Sequence, residues 1–167
     1  MIFCIDSNIF IWGIKNKCNP EQEELRLRAE YFIETLGKQN HILIPTVVLA
    51  EVLAPEPLNN HPVIMDKISK GFIIADFDTL AAARYAQMFM NKIEELKKIA
   101  DENAIDNQKM KVDHLIIACA LAQNANCIYS HDNGLKAFAQ KYIEVRELPY
   151  IPKPQPNLFT GTDANPF

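Results

Sequence analysis

Short apolar runs alternate with longer amphipathic stretches along most of this chain. Residues 1–5 are apolar on both faces, which predicts a short buried strand. Residues 8–14 predict a short helix. Asn19-Pro20-Glu21 sets a capping side chain, a first-turn proline and an acid in order, so a helix begins there. It is expected to run to Leu36, with Gly37 as its stop. Residues 42–44 form a second strand. Thr46 is expected to cap a helix over 47–54 that Pro55 and Pro57 terminate. A further helix covers 62–70, stopped by Gly71, and residues 72–74 make a third strand.

Asp78 is placed to cap a long helix over 79–100. Leu80, Ala83, Ala86, Phe89, Met90, Ile93 and Leu96 recur at helical spacing as its inward face. Residues 101–110 are polar and mixed, which reads as a loop or a weak helix. Residues 112–123 form a helix apolar on nearly every side, hence a central one. Residues 127–129, 134–140 and 143–145 predict strand, helix and strand. From Pro149 the pattern stops, because prolines at 149, 152, 154, 156 and 166 exclude helix or sheet interior. The expected organisation is therefore one domain over 1–148 and a proline-rich extended tail over 149–167.

Strands alternating with helices imply a parallel sheet covered on both faces. In such sheets ligands bind beyond the carboxyl ends of the strands, where the strand order reverses. Asp6 closes the first strand and Asp132 lies just past the fourth.

The length of 167 residues and an apolar share of 49% suit one folded domain and exclude general disorder. No apolar run is long enough to span a membrane, and the N-terminus lacks the pattern of a secretory leader, so a cytoplasmic protein is expected. Cys4, Cys18, Cys119 and Cys127 form no C-x-x-C pair and read as reduced thiols. A net charge of −4 argues against a general polyanion binder, though a local basic rim is compatible with it.

Four acids end or interrupt apolar segments: Asp6, Glu51, Asp113 and Asp132. Carboxylates seldom enter a core unless paired or metal-bound. Gathered together they repel, each pair at ~4 Å costing on the order of 4 kcal/mol at a surface-like dielectric. A hard divalent cation relieves that repulsion.

Four segments together resemble the PIN domain, a nuclease family found in many toxins of toxin–antitoxin pairs. Ile5-Asp6-Ser7-Asn8 resembles its opening aspartate, followed by a small hydroxyl residue and Asn. Residues 45–52, with Glu51, resemble its glutamate-bearing helix. Asp113-His114-Leu115-Ile116-Ile117-Ala118-Cys119-Ala120 resembles its aspartate-led apolar helix. Ser130-His131-Asp132-Asn133-Gly134-Leu135 resembles its closing turn. Gly134 stands where many relatives carry a further acid, and Ser130 replaces the commoner Thr.

The resemblance implies an α/β/α sandwich with strand order 3-2-1-4-5, and a Mg²⁺- or Mn²⁺-dependent endoribonuclease inhibited by an antitoxin protein. It further implies a homodimer acting on RNA. On that basis Asp6, Asp113 and Asp132 hold the metal. Glu51 is a further ligand or the base that orients the attacking water. Asn8 and Ser130 hydrogen-bond the carboxylates. A divalent cation held by oxygen ligands can make water nucleophilic and polarise a phosphoryl oxygen. Lys15, Lys17, Lys109, Lys111 and Lys136 are candidates for a rim that meets RNA phosphates.

Structural explanations stand beside these. Asp113 could cap its helix, and Asp132, before Asn133-Gly134, could be a turn residue. His114 and His131 read as packing or rim residues, and Trp12 as core. Two other functions stay open: a catalytically idle PIN-like module, and a phosphatase of the haloacid dehalogenase type. The latter needs a second aspartate where Asn8 stands.

Overall fold

The computed structural model describes residues 1–90 and 107–152, together with Glu94, Leu96, Lys98 and Glu102. The apolar runs become strands β1 (Ile2–Ile5), β2 (His41–Pro45), β3 (Ile73–Ala75), β4 (Cys127–Tyr129) and β5 (Val145–Arg146). All pairings are parallel, in one five-stranded sheet ordered β3-β2-β1-β4-β5. The three central strands are largely buried, whereas β3 and β5 at the edges are partly exposed.

The α-helices with described bounds are α1 (Ser7–Gly13), α2 (Glu23–Leu36), α3 (Thr46–Leu53), α4 (His61–Gly71), α5 (Thr79–Phe89), α6 (Asn107–Ala122) and α7 (Asn133–Ala139). Together with the sheet they make the expected α/β/α sandwich. Helices α1 and α2 pack together, and Phe32 of α2 lies on Tyr129 of β4 with ring centroids 4.3 Å apart. Helices α5, α6 and α7 form a second packed group. In α6 the run Ile116-Ile117-Ala118-Cys119-Ala120 is buried, as its uniform apolarity requires. His114 is enclosed between Phe89 and Phe138 at 4.8 and 4.7 Å and is a packing residue. Trp12 joins the core, and all four cysteines are free thiols.

Several boundaries differ from expectation. The 19–36 helix opens with a 3₁₀ turn, Pro20–Gln22. Thr46 is the first helical residue of α3 rather than its cap; Pro45 holds the cap position without a side-chain hydrogen bond. Among the described residues no glycine adopts a positive φ, so Gly37 and Gly71 do not act as left-handed stops; Asn16 and Asn124 take that conformation instead. Helix α5 ends at Phe89, where Met90 turns extended with ψ 117, although neither residue is glycine or proline. Its inward residues are Ala81 and Met88, with Tyr85 and Phe89 partly covered; Leu80, Ala83 and Ala86 face outward. A run of Leu and Ala supplies too little polar contrast to fix the helix face. Ile93 and most of the expected helix beyond Met90 lie outside the described residues. Residues 107–110, read from the sequence as a loop or a weak helix, form the first turn of α6.

Past β5 the chain is held by Arg28 of α2. Its guanidinium donates to the carbonyls of Leu148 and, at 3.1 Å, Pro149, and lies 4.1 Å from the Tyr150 ring centroid. The Leu148 N–H donates to His131 Nε2 at 3.2 Å. Most of the proline-rich tail lies outside the described residues. Among them, no helix is long and apolar enough to cross a membrane.

Gly13 permits the close approach of α1 to α2, since a Cβ there would stand 3.0 Å from the Ala29 carbonyl oxygen and 2.6 Å from Ile33 Cδ1. Gly13→Ala is expected to lower unfolding free energy by about 1–3 kcal/mol through overpacking. Urea denaturation reads this directly, and an unchanged or higher stability contradicts the tight crossing.

Candidate functional site

Register brings the first and last of the four acidic segments together. Ile5 pairs with Tyr129 across β1 and β4, and the Asp6 N–H donates to the Tyr129 carbonyl at 3.2 Å. The next residues on the two strands, Asp6 and Ser130, therefore leave the sheet side by side. The Ser130 hydroxyl donates to Asp6 Oδ2 at 2.8 Å and accepts from the Asp132 N–H at 2.9 Å. This is the point where the strand order reverses.

Two acids also cap helices. Asp6 caps α1, its Oδ1 accepting from the Ser7 N–H at 2.6 Å and the Ser7 hydroxyl at 3.2 Å. Asp132 caps α7, its Oδ1 accepting from the Gly134 and Leu135 N–H groups at 2.7 and 3.2 Å. Its Oδ2 meets Lys109 Nζ at 2.6 Å. Asp113 is different. Helix α6 begins six residues earlier, so Asp113 caps nothing, and its buried Oδ2 has no hydrogen-bond partner. An unsatisfied buried oxygen of this kind is costly.

All four acids line one cleft of about 410 Å³, with Ser7, Asn8, Gln108, Lys109, Val112 and Ile116. Burial, then the charges of Asp132 and Asp6, push the Asp113 carboxyl up to about 8. Burial also raises Asp6, against its hydrogen bonds from Ser130 and Ser7. Glu51, at the mouth, is raised by partial burial and by Asp6, with Ser7 opposing. For Asp132 burial acts upward, but Lys109 and the cap N–H groups outweigh it and hold the carboxyl below its usual range.

The donor set is all oxygen and the cleft is overloaded with negative charge, which suits a hard divalent cation. As the side chains stand, among the described residues no three His, Cys, Asp or Glu side chains are disposed to hold one ion. Their oxygens point largely at protein donors instead. The unpartnered Asp113 oxygen is the point where the fit to a cation is strongest.

The remaining candidates divide. Asn8 lines the cleft but makes no side-chain hydrogen bond among the described residues. Ser7 takes the supporting position expected of Asn8; its place directly after a capping aspartate was the available signal. Lys15 is no rim residue, since it is buried against Glu56 and donates to the Val52 carbonyl at 3.1 Å. Lys17 shares Glu56, and Lys136 pairs with Glu147 at 2.5 Å. Lys111 is exposed and lies outside the cleft lining. Of the proposed basic rim, only Lys109 stands in the cleft, and there it contacts a carboxylate.

The PIN domain family profile matches residues 3–141. The chain belongs to the PIN domain family. Among solved structures, it is similar to a chain of VapBC2 from Rickettsia felis bound to a promoter DNA fragment. That match has 21% identity and a TM-score of 0.57, over 88% of this chain and 98% of that one. It is also similar to a chain of DNA-bound VapBC from Salmonella typhimurium. There the identity is 18% and the TM-score 0.55, over 89% and 99% of the two chains. At these identities the likeness shows the fold. The curated proteins gave no match.

Because Asp113 binds its proton more tightly when folded than when unfolded, the native state carries the extra proton between about pH 4 and 8. Stability without metal is therefore expected to fall as pH rises through that window, by on the order of a few kcal/mol. Asp113→Asn should flatten the fall. Urea midpoints measured from pH 5 to 8.5 check this; equal slopes in both proteins contradict the burial of an unpaired carboxyl.

Proposed function

We propose that this PIN domain is a Mg²⁺- or Mn²⁺-dependent endoribonuclease, the toxin of a toxin–antitoxin pair. The observation that carries the proposal is Asp113: buried, not a cap, and unsatisfied at Oδ2 beside two other acids. Nothing in the packing accounts for a carboxyl there, whereas a cation site does. Membership of a family whose members are typically nucleases supports the chemistry. The likeness in fold to VapBC proteins supports an antitoxin partner. Homodimerisation and a nuclease unit confined to residues 1–148 belong to the same proposal.

Asp6, Asp113 and Asp132 are the residues that would hold the ion. When bound, it supplies Lewis-acid polarisation of a phosphoryl oxygen and charge compensation for the carboxylates. Ser7 and Ser130 fix both oxygens of Asp6, so its orientation is set before any ligand arrives. The two cap N–H groups do the same for Asp132. Glu51, at the mouth and with its proton affinity raised by partial burial, would take a proton from the attacking water. RNA is the expected substrate, its backbone entering over Lys109.

One observation favours a second reading, a catalytically idle PIN-like module. Asp6 and Asp132 already have protein partners for their oxygens. Cleavage of total RNA with Mg²⁺, Mn²⁺ or EDTA separates the two. We expect metal-dependent cleavage that falls roughly 100-fold or more in Asp6→Asn and Asp113→Asn, with the fold intact by circular dichroism. Full activity in Asp6→Asn removes that residue from the mechanism, and no cleavage under any condition favours the idle module.

A further inference from the structure

Lys109 lies one helical turn before Asp113 on α6, so both side chains project to the same cleft. Its ammonium crosses the cleft to Asp132 Oδ2 at 2.6 Å. That oxygen is the one Asp132 leaves over, because Oδ1 is taken by the cap of α7. The cap holds the Asp132 carboxylate in place whether or not Lys109 is attached. Half of the Lys109 side chain is exposed, so the ammonium can move into solvent without opening the core. Around this pair stand the unpartnered Oδ2 of Asp113 and the Asp6 carboxylate already fixed by Ser7 and Ser130.

We infer that Lys109 is a built-in counter-ion that holds Asp132 in the absence of a divalent cation and competes with that cation for Oδ2. The inference rests on the metal-dependent reading above and deepens it. One positive charge partly compensates the cleft, which a divalent ion could compensate further. Two ligands that exclude each other at one oxygen lower each other's apparent affinity. The pairing thus sets how tightly the site takes its metal. It also couples the metal to the substrate: an oxyanion that draws Lys109 away from Asp132 frees a metal ligand.

The test is calorimetric titration of Mn²⁺ at pH 8 into the full chain and into Lys109→Met, which keeps the stem and removes the charge. Loss of Lys109 also favours protonated Asp113, which works against metal binding, so any gain in affinity arises despite that effect. Binding roughly tenfold tighter in Lys109→Met, with Lys109→Arg close to the original, supports the inference. Equal or weaker binding in Lys109→Met, while the original chain binds Mn²⁺, overturns it and leaves the nuclease reading standing. Absence of Mn²⁺ binding in both proteins overturns the metal reading and the inference together. If Lys109→Met does not fold, by circular dichroism, Lys109→Gln serves with the same outcomes.

Discussion

The structure depends on carboxyl groups being held against their own repulsion at the carboxyl edge of a parallel sheet. The hold is made by backbone register. Once Ile5 is paired with Tyr129, Asp6 and Ser130 have to emerge beside each other, and the serine hydroxyl links Asp6 to the backbone of Asp132. The apolar strands β1 and β4 are buried on both faces, so slipping that register would expose a core strand. Hydrophobic burial in the sheet thus fixes the positions of charges that would otherwise move apart.

The acids do not share one structural status. Asp6 and Asp132 are both helix caps, and each would be tolerated in a protein with no chemistry to perform. Asp113 has no such secondary occupation. It sits in the second turn of α6, just before the buried apolar run Ile116–Ala120 and next to the aromatic enclosure of His114. Its high proton affinity follows from burial first and from its acidic neighbours second. A site of this kind combines two anchored carboxylates with one that is left unsatisfied. It is preorganised at its edges and energetically incomplete at its centre, as expected where binding of a cation completes the fold.

Much of this was legible in the sequence. Short doubly apolar runs separated by helical stretches are enough to give a parallel sheet, and Asp6 at the end of the first run marks the ligand edge. The ordered set of four segments carried the strand order. What the sequence concealed was side-chain geometry. Lys15 looks like any surface lysine, yet Glu56 of a distant segment draws it inside. Lys109 looks like a phosphate contact, yet faces a carboxylate. The inward face of α5 was misplaced because Leu80-Ala81-Ala82-Ala83 is apolar on every side, so only tertiary packing selects Ala81 and Met88. The start of α6 stays undecided between loop and weak helix in the sequence because Asn107-Gln108-Lys109 carries no apolar signal; the helix there exposes polar residues to the cleft and to solvent.

The most direct test of the account is the proton affinity of one group. A carbon-13 NMR titration of the Asp113 carboxyl should show it ionising near 8 in the metal-free protein, and at clearly lower pH once Mg²⁺ is added. An ordinary aspartate titration, or one that Mg²⁺ leaves unmoved, would contradict a buried carboxyl waiting for a cation.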